Sequence, residues 1–250
     1  MFVGLVMSGC SSNEESKKQN PGSEKVELTI SAAASLQDAI NEIKTAYEKE
    51  NANVKINLNF GASGALQQQI SQGAPVDLFF SAAEDKFENL VDEKLVEKGI
   101  NLIGNEIVLV VPKDSGQINK FEDLSKAEKI ALGTPETVPA GQYGKETLEN
   151  LGVWKDSEEK VVYAKDVRQV LTYVETENVD AGIVYKTDAL TSEKVTISAT
   201  ALEDTHTPII YPVGIIKASS HLEEANDFYE YLQTDKAMEI FVKYGFADIN

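Results

Sequence analysis

The sequence predicts an α/β protein of two lobes, and three observations carry that prediction. Apolar runs alternate with amphipathic stretches along most of the chain, which is typical of βαβ units and a mostly parallel sheet. Two longer apolar runs, at 107–111 and 209–216, are typical of strands buried on both faces. The segment between these runs has enough strands and helices for a lobe of its own. We therefore predict a first lobe of residues 26–107 and 211–250, a second lobe of residues 108–210, and a hinged cleft between them.

Each predicted element follows from a local pattern of apolar residues. Short apolar runs predict further strands, and apolar residues at helical spacing predict helices. The strands are at 26–30, 54–60 and 76–80 in the first lobe, and at 130–132, 161–163 and 181–185 in the second. The helices are at 36–49, 64–71 and 84–91, then at 140–150 and 167–175, with two closing helices at 222–232 and 236–244.

Two serines occupy matched positions in the first lobe. Ser35 and Ser63 each follow a strand-like run and open an apolar-periodic stretch, so we predict that both cap helices at the same end of one sheet. Asp38, three residues after Ser35, would complete an acidic variant of the capping box. Helix N-termini carry unpaired N–H groups and a partial positive charge. A single serine would be explained by capping alone, but the matched pair indicates a site for an anion.

The second lobe offers its own candidates at the carboxyl ends of predicted strands. Ala140 lies at the start of one helix and Val167 at the start of another, where backbone N–H groups are accessible and Asp166 is the predicted N-cap. Tyr185 ends a buried strand, from which its phenol would reach the cleft, although a surface position is the simpler interpretation. Arg168 is the only arginine in the chain. We expect it to have structural partners such as Asp166 rather than to contact a ligand.

Composition excludes several classes of function. The net charge of −18 and the pI near 4.5 disfavour nucleic acid as a partner and work against long-range capture of a small anion. A single cysteine excludes an internal disulfide, and the two histidines are too far apart in sequence to indicate a metal site. The carboxylates are scattered along helix faces, and the glycines around Ser63 lack the spacing of a phosphate-binding loop. We therefore predict a protein that is not an enzyme and has no cofactor or direct metal ligands.

The N-terminal segment resembles a bacterial lipoprotein signal. Residues 1–10 combine a short apolar run with small residues before Cys10, which would become the lipidated N-terminus. A positively charged start is missing, which suggests that the true start lies upstream. Residues 11–25 contain no apolar side chain and predict a solvated tether. The alternative is a stray or buried cysteine in an exported protein.

Several motifs together resemble the molybdate-binding proteins of bacterial ABC importers. They are AAASL (32–36), GAPVDLFFSA (73–82), PETVPAG (135–141), DVR (166–168), GIVY (182–185) and the ending YGF (244–246). The resemblance runs in order over about residues 26–247 and implies the type II periplasmic-binding-protein fold. In that family a tetrahedral oxyanion is held by two serines, two backbone N–H groups and a tyrosine hydroxyl. By motif, these positions are Ser35, Ser63, Ala140, Val167 and Tyr185.

The resemblance implies a lipid-anchored, extracytoplasmic and monomeric binding protein that captures molybdate or tungstate for an ABC permease. A receptor for sulfate or another tetrahedral oxyanion is the alternative within transport. An enzyme on the same fold and a lipoprotein sensor are alternatives from other classes. The first would need a nucleophile or base in the cleft, and the second would be distinguished by its genetic neighbourhood.

Overall fold

The computed structural model describes residues 25–249 as an assembly of two β-sheets flanked by helices. The strands are β1 (Val26–Ala33), β2 (Val54–Gly61), β3 (Leu78–Phe80), β4 (Val96–Gly104), β5 (Ile107–Pro112), β6 (Ile130–Gly133), β7 (Val161–Ala164), β8 (Ala181–Tyr185), β9 (Val195–Thr200), β10 (Ile210–Ile216) and β11 (Ala247–Asp248). The helices are α1 (Gln37–Glu50), α2 (Ser63–Ser71), α3 (Glu84–Asp92), α4 (Pro139–Asn150), α5 (Trp154–Ser157), α6 (Val167–Glu175), α7 (Lys186–Ala189), α8 (Leu222–Tyr231) and α9 (Asp235–Lys243). Short 3₁₀ turns lie at Ala34–Leu36, Phe121–Lys126, Glu158–Lys160 and Glu203–Thr205. Across residues 25–249, no helix is both long enough and apolar enough to cross a bilayer.

The first sheet has six strands in the order β11-β4-β10-β3-β1-β2. Within it β1 is parallel to β2 and β3, whereas β10 runs antiparallel between β3 and β4. The second sheet has five strands in the order β7-β6-β8-β5-β9, with β6 parallel to both its neighbours and β5 antiparallel to both of its own. We call the parts built on these sheets the first and second lobes. The predicted α/β class is confirmed.

The chain crosses between the sheets twice, at positions that define the hinge. Residues 105–106 join β4 to β5, and residues 201–209 join β9 to β10. Strand pairing puts Ile107 in the second sheet, opposite Tyr185, and Ile210 in the first, opposite Gly104. These two residues therefore lie on the other side of the predicted lobe bounds, because the chain turns between sheets before β5 and β10 begin. The bounds themselves stay a prediction.

Register within the first sheet brings the ends of three strands together. Ala33 of β1 lies opposite Gly61 of β2, and Ala32 lies opposite Phe80 of β3. The segments that leave these strands, which carry Ser35, Ser63 and residues 81–83, therefore emerge side by side at one edge of the sheet. The carboxyl ends of parallel strands lie at the same edge of a sheet, and such edges commonly bind ligands in α/β proteins.

Candidate anion-binding site

A small cavity lies between the two lobes and is lined by all five residues predicted to bind the anion. Ser35 and Ser63 come from the first lobe, and Ala140, Val167 and Tyr185 come from the second. The rest of the lining is small or apolar: Ala33, Ala34, Gly61, Ala62, Ala82, Val138 and Pro139. The cavity leaves about 10 Å³ for the centre of a water-sized sphere, which is roughly the space of one water molecule. The two lobes are therefore in contact around a small enclosed space.

Ser35 is buried, but it does not cap a helix as predicted. It lies inside the 3₁₀ turn that precedes α1, and the N-cap of α1 is Leu36. The hydroxyl of Ser35 instead shares a hydrogen bond of 2.9 Å with the hydroxyl of Tyr211. The capping prediction is wrong because a tight turn separates β1 from α1 and moves the helix start beyond the serine.

Ser63 also differs from the predicted cap. It is the first residue of α2, Ala62 is the N-cap, and the serine side chain makes no capping bond. Its Oγ accepts a hydrogen bond of 2.9 Å from the backbone N–H of Ala82, just beyond β3. This bond uses the acceptor side of the hydroxyl and leaves its proton available to the cavity.

Ala140 and Val167 place two helix starts at the cavity. Ala140 follows Pro139 in the first turn of α4, and Val167 is the first residue of α6. N–H groups in the first turn of a helix have no partner within it, so both can serve an anion. The predicted N-cap of α6 is confirmed, because Asp166 accepts a hydrogen bond of 2.8 Å from the N–H of Gln169.

Tyr185 completes the lining from the end of β8. Its hydroxyl donates to the carbonyl oxygen of Ala82 at 3.3 Å, across the gap between the lobes, and its ring meets Tyr211 edge-on. Burial raises the pKa of Tyr185 well above its ordinary value, so the phenol keeps its proton and remains a donor. A cavity anion would compete with Ala82 for that proton.

Contacts between the lobes lie directly beside the cavity. The N–H of Gly64 donates to the carbonyl oxygen of Thr137 in the second lobe at 2.9 Å. Arg168 of the second lobe contacts Asp38 of the first at 2.5 Å, and its Nε lies 2.7 Å from the carboxylate of Asp188. Arg168 does not line the cavity, as predicted, but its partner is not Asp166, whose carboxylate caps α6. Asp38 likewise pairs with Arg168 and closes no capping box.

The buried carboxyl of Asp188 makes the stability of the fold depend on pH. Burial raises its pKa from 3.8 to about 6, opposed by Arg168 and by a backbone hydrogen bond from Tyr185, and reinforced weakly by Asp38. Between these two values the folded state binds more protons than the unfolded state, so this contribution is full below 3.8 and is lost as the pH rises through 6. We expect the free energy of unfolding to fall more between about pH 4 and about pH 7 in the wild-type protein than in Asp188→Asn. Urea unfolding at both pH values measures this, and identical pH profiles would contradict it.

Two buried polar contacts at the site were not predicted from the sequence. Tyr211 contacts Ser35, and Asn105, in the first crossover, donates to the Tyr211 hydroxyl at 3.0 Å. Among residues 25–249, no group of three or more His, Cys, Asp or Glu side chains is placed to hold a metal ion.

Comparisons with known proteins agree with this geometry. Residues 28–247 match the family described as bacterial extracellular solute-binding protein. A putative ABC transporter substrate-binding lipoprotein, YvgL of Bacillus subtilis, is 59% identical over 97% of this chain and 94% of its own. The molybdate-binding protein ModA of Escherichia coli is 38% identical over 88% of both chains. The substrate-binding domain of a putative molybdenum ABC transporter from Clostridium difficile has a TM-score of 0.70 and 43% identity, and the match covers 90% of this chain and 100% of that one. The two-lobed type II fold expected from sequence is confirmed.

Proposed function

Because this chain belongs to the bacterial extracellular solute-binding proteins and is ModA-like, we propose that it captures molybdate between its lobes and delivers it to an ABC permease. It is a substrate-binding protein of an ABC transporter and not an enzyme, since its relatives bind solutes for import. It needs no cofactor, because the anion is itself the cargo.

One observation carries the proposal. Five residues that are scattered over 150 positions of sequence, from Ser35 to Tyr185, line a single cavity between the lobes. Each of them offers a neutral hydrogen-bond donor, either a hydroxyl or a backbone N–H at a helix start. Arg168, the only arginine in the chain, is paired with Asp38 and Asp188. The anion is therefore held by local dipoles in a protein whose net charge is −18.

A site made only of donors favours a fully deprotonated dianion. Hydrogen phosphate carries a proton that needs an acceptor, and burying that proton unpaired costs roughly 1–3 kcal/mol. Sulfate carries no proton, so it is excluded only by its shorter bonds, which would not reach all the donors at once. Tungstate is nearly the same size as molybdate, and we expect it to bind comparably. A sulfate receptor remains the alternative function.

We further propose that the protein is a monomer anchored outside the cytoplasm by a lipid on Cys10. Cys10 and the tether at 11–25 lie outside the described residues, except for Lys25. The proposal is supported by the sequence pattern around Cys10 and by the name of the YvgL relative, which describes a putative substrate-binding lipoprotein. A sensor lipoprotein with the same cleft would differ in its membrane partner.

Alanine substitutions at the two serines test the site. We expect Ser35→Ala and Ser63→Ala each to weaken molybdate binding by about 1.5–3 kcal/mol, the range for a hydrogen bond to a charged group. Calorimetric titration measures the loss. Ser157→Ala is a matched control, because Ser157 is fully buried in α5 and does not line the cavity. Unchanged affinity in both site variants would overturn the assignment.

The same titration with four anions tests the function itself. We expect tight one-to-one binding of molybdate and tungstate, and none of sulfate or phosphate at matched concentration. Sulfate binding as tight as molybdate binding would favour the alternative. Binding of none of the four would contradict the proposed function.

A further inference from the structure

Tyr211 and Asn105 form a hydrogen-bonded chain behind the cavity that ends on Ser35. Neither residue lines the cavity. Tyr211 lies at the start of β10, just after the second crossover, and is completely buried. Asn105 lies in the first crossover, so the hydrogen-bonded chain contains one residue of a hinge segment and one that lies just after the other.

The orientation of the Asn105 amide is fixed by its neighbours. Its Oδ1 accepts a hydrogen bond of 2.9 Å from the backbone N–H of Glu106, and a backbone N–H can only donate. The other atom is therefore the nitrogen. Its two protons go to the Tyr211 hydroxyl at 3.0 Å and to the Thr187 hydroxyl at 2.9 Å.

This orientation determines the direction of the next bond. The Tyr211 oxygen accepts from Asn105, so its own proton needs an acceptor, and the Ser35 Oγ lies 2.9 Å away. If Ser35 donated instead, the Tyr211 proton would have to leave this 2.9 Å contact for the hydroxyl of Tyr185. Apart from the larger effect of burial, the hydrogen bond between the two tyrosines raises the pKa of Tyr185 and lowers that of Tyr211, as expected when Tyr185 is its donor. Tyr211 therefore donates to Ser35. Burial also raises the pKa of Tyr211 well above its ordinary value, so the phenol keeps the proton that it donates.

With its oxygen already accepting from Tyr211, Ser35 is left with a proton to give. Ser63 is in the same condition, because its Oγ accepts from the N–H of Ala82. Both serines of the cavity are thus held as donors by buried groups of the first lobe: Tyr211 for Ser35 and the N–H of Ala82 for Ser63.

We propose that Tyr211 and Asn105 are positioning residues that hold Ser35 as a hydrogen-bond donor and thereby set the preference for fully deprotonated oxyanions. This inference rests on the proposed function. If either residue is lost, the Ser35 hydroxyl can turn and accept a proton from a protonated anion. Affinity for molybdate should then fall, and the difference between the affinities for molybdate and for phosphate should become smaller.

Tyr211→Phe tests this directly, because it removes the hydroxyl and keeps the ring that packs edge-on against Tyr185 and Phe246. We expect the dissociation constant for molybdate to rise about tenfold. We expect the ratio of the phosphate constant to the molybdate constant to shrink by more than that, because phosphate carries a proton at neutral pH. Tyr47→Phe is the matched control, a buried tyrosine at the far end of α1 that packs on Phe228.

A double-mutant cycle separates positioning from a general structural effect. In a Ser35→Ala background, Tyr211→Phe should cause no further loss of molybdate affinity, because the hydroxyl that it orients is gone. Asn105→Asp provides a second route if Tyr211→Phe fails to fold. Asn105→Asp keeps the oxygen that accepts from the N–H of Glu106 and replaces the NH₂ donor by a second acceptor. In the Ser35→Ala background, the part of its effect on molybdate affinity that comes from orienting the Ser35 hydroxyl should disappear.

The outcomes distinguish this inference from the proposed function. If the wild-type protein binds neither anion, the proposed function fails and the inference fails with it. If the wild-type protein binds molybdate, and Tyr211→Phe changes neither its molybdate affinity nor the ratio of the phosphate to the molybdate dissociation constant, the inference alone is overturned. An equal loss in the Ser35→Ala background would also overturn it, since Tyr211 would then act independently of the serine.

Discussion

Gly64→Ala should abolish tight anion binding by preventing the lobes from closing. A Cβ at this position would lie 2.8 Å from both the Cα and the carbonyl oxygen of Thr137, closer than real Cβ atoms approach backbone. Both contacts are backbone atoms of the opposite lobe, so relief requires the lobes to separate. Separation also breaks the Gly64 to Thr137 hydrogen bond and moves the donors of Ala140 and Val167 away from the two serines. We expect affinity for molybdate to fall on the order of 100-fold, as misplacement of binding groups by about 1 Å commonly does.

Titration calorimetry with molybdate measures the loss, and small-angle scattering reports the opening of the lobes. Gly116→Ala is the matched control, because a Cβ there meets no atom within 4 Å. Both variants should keep the wild-type content of helix and strand. Wild-type affinity in Gly64→Ala would show that the anion binds without this closure.

Arg168→Gln should cause the largest loss of stability among single substitutions near the site. The Asp188 carboxylate is fully buried beside Arg168, and removing the guanidinium leaves a buried charge without its partner. Such losses cost about 3–5 kcal/mol. The substitution also removes the contact with Asp38 that joins the lobes.

Urea unfolding measures this cost, and a second substitution tests its origin. Adding Asp188→Asn to the Arg168→Gln variant should restore much of the stability, because it removes the unpaired charge. Lys55→Gln is the control for loss of an ordinary surface pair, since Lys55 and Glu27 are both largely exposed. We expect its effect to be far smaller. Equal losses in Arg168→Gln and Lys55→Gln would refute the role assigned to burial.

Elements with a strong local pattern were predicted well from sequence. The bounds of α6 and β8 agree with the prediction, because α6 carries a regular apolar face and β8 is apolar throughout. Three strands were missed; β11 is only two residues long, and β4 and β9 were missed for a physical reason. The first residues of β4 alternate between partly buried and exposed around Gly99, and β9 is an edge strand with no fully buried residue. Neither produces a continuous apolar run.

The cavity lining was predictable, but the contacts behind it were not. Matched strand-turn-helix motifs place Ser35 and Ser63 at one sheet edge, yet they do not specify how many residues each turn contains, so the capping prediction was wrong. The bond between Ser35 and Tyr211 joins residues 176 positions apart, and that between Arg168 and Asp38 joins residues 130 apart. No local pattern reports such pairs, because the first depends on the strand order within the first sheet and the second on how the two lobes are placed.

The strand order of the first sheet has a consequence for how the chain folds. β10 lies between β3 and β4, and these two strands pair with β10 and not with each other. The second sheet uses only residues between Ile107 and Thr200, so all its strands emerge from the ribosome before β10 does. The first sheet must wait for the C-terminal part of the chain, and its long-range pairings are intrinsically slow to form. We therefore expect the inserted lobe to acquire its structure first, and the anion site to appear only in the last step of folding.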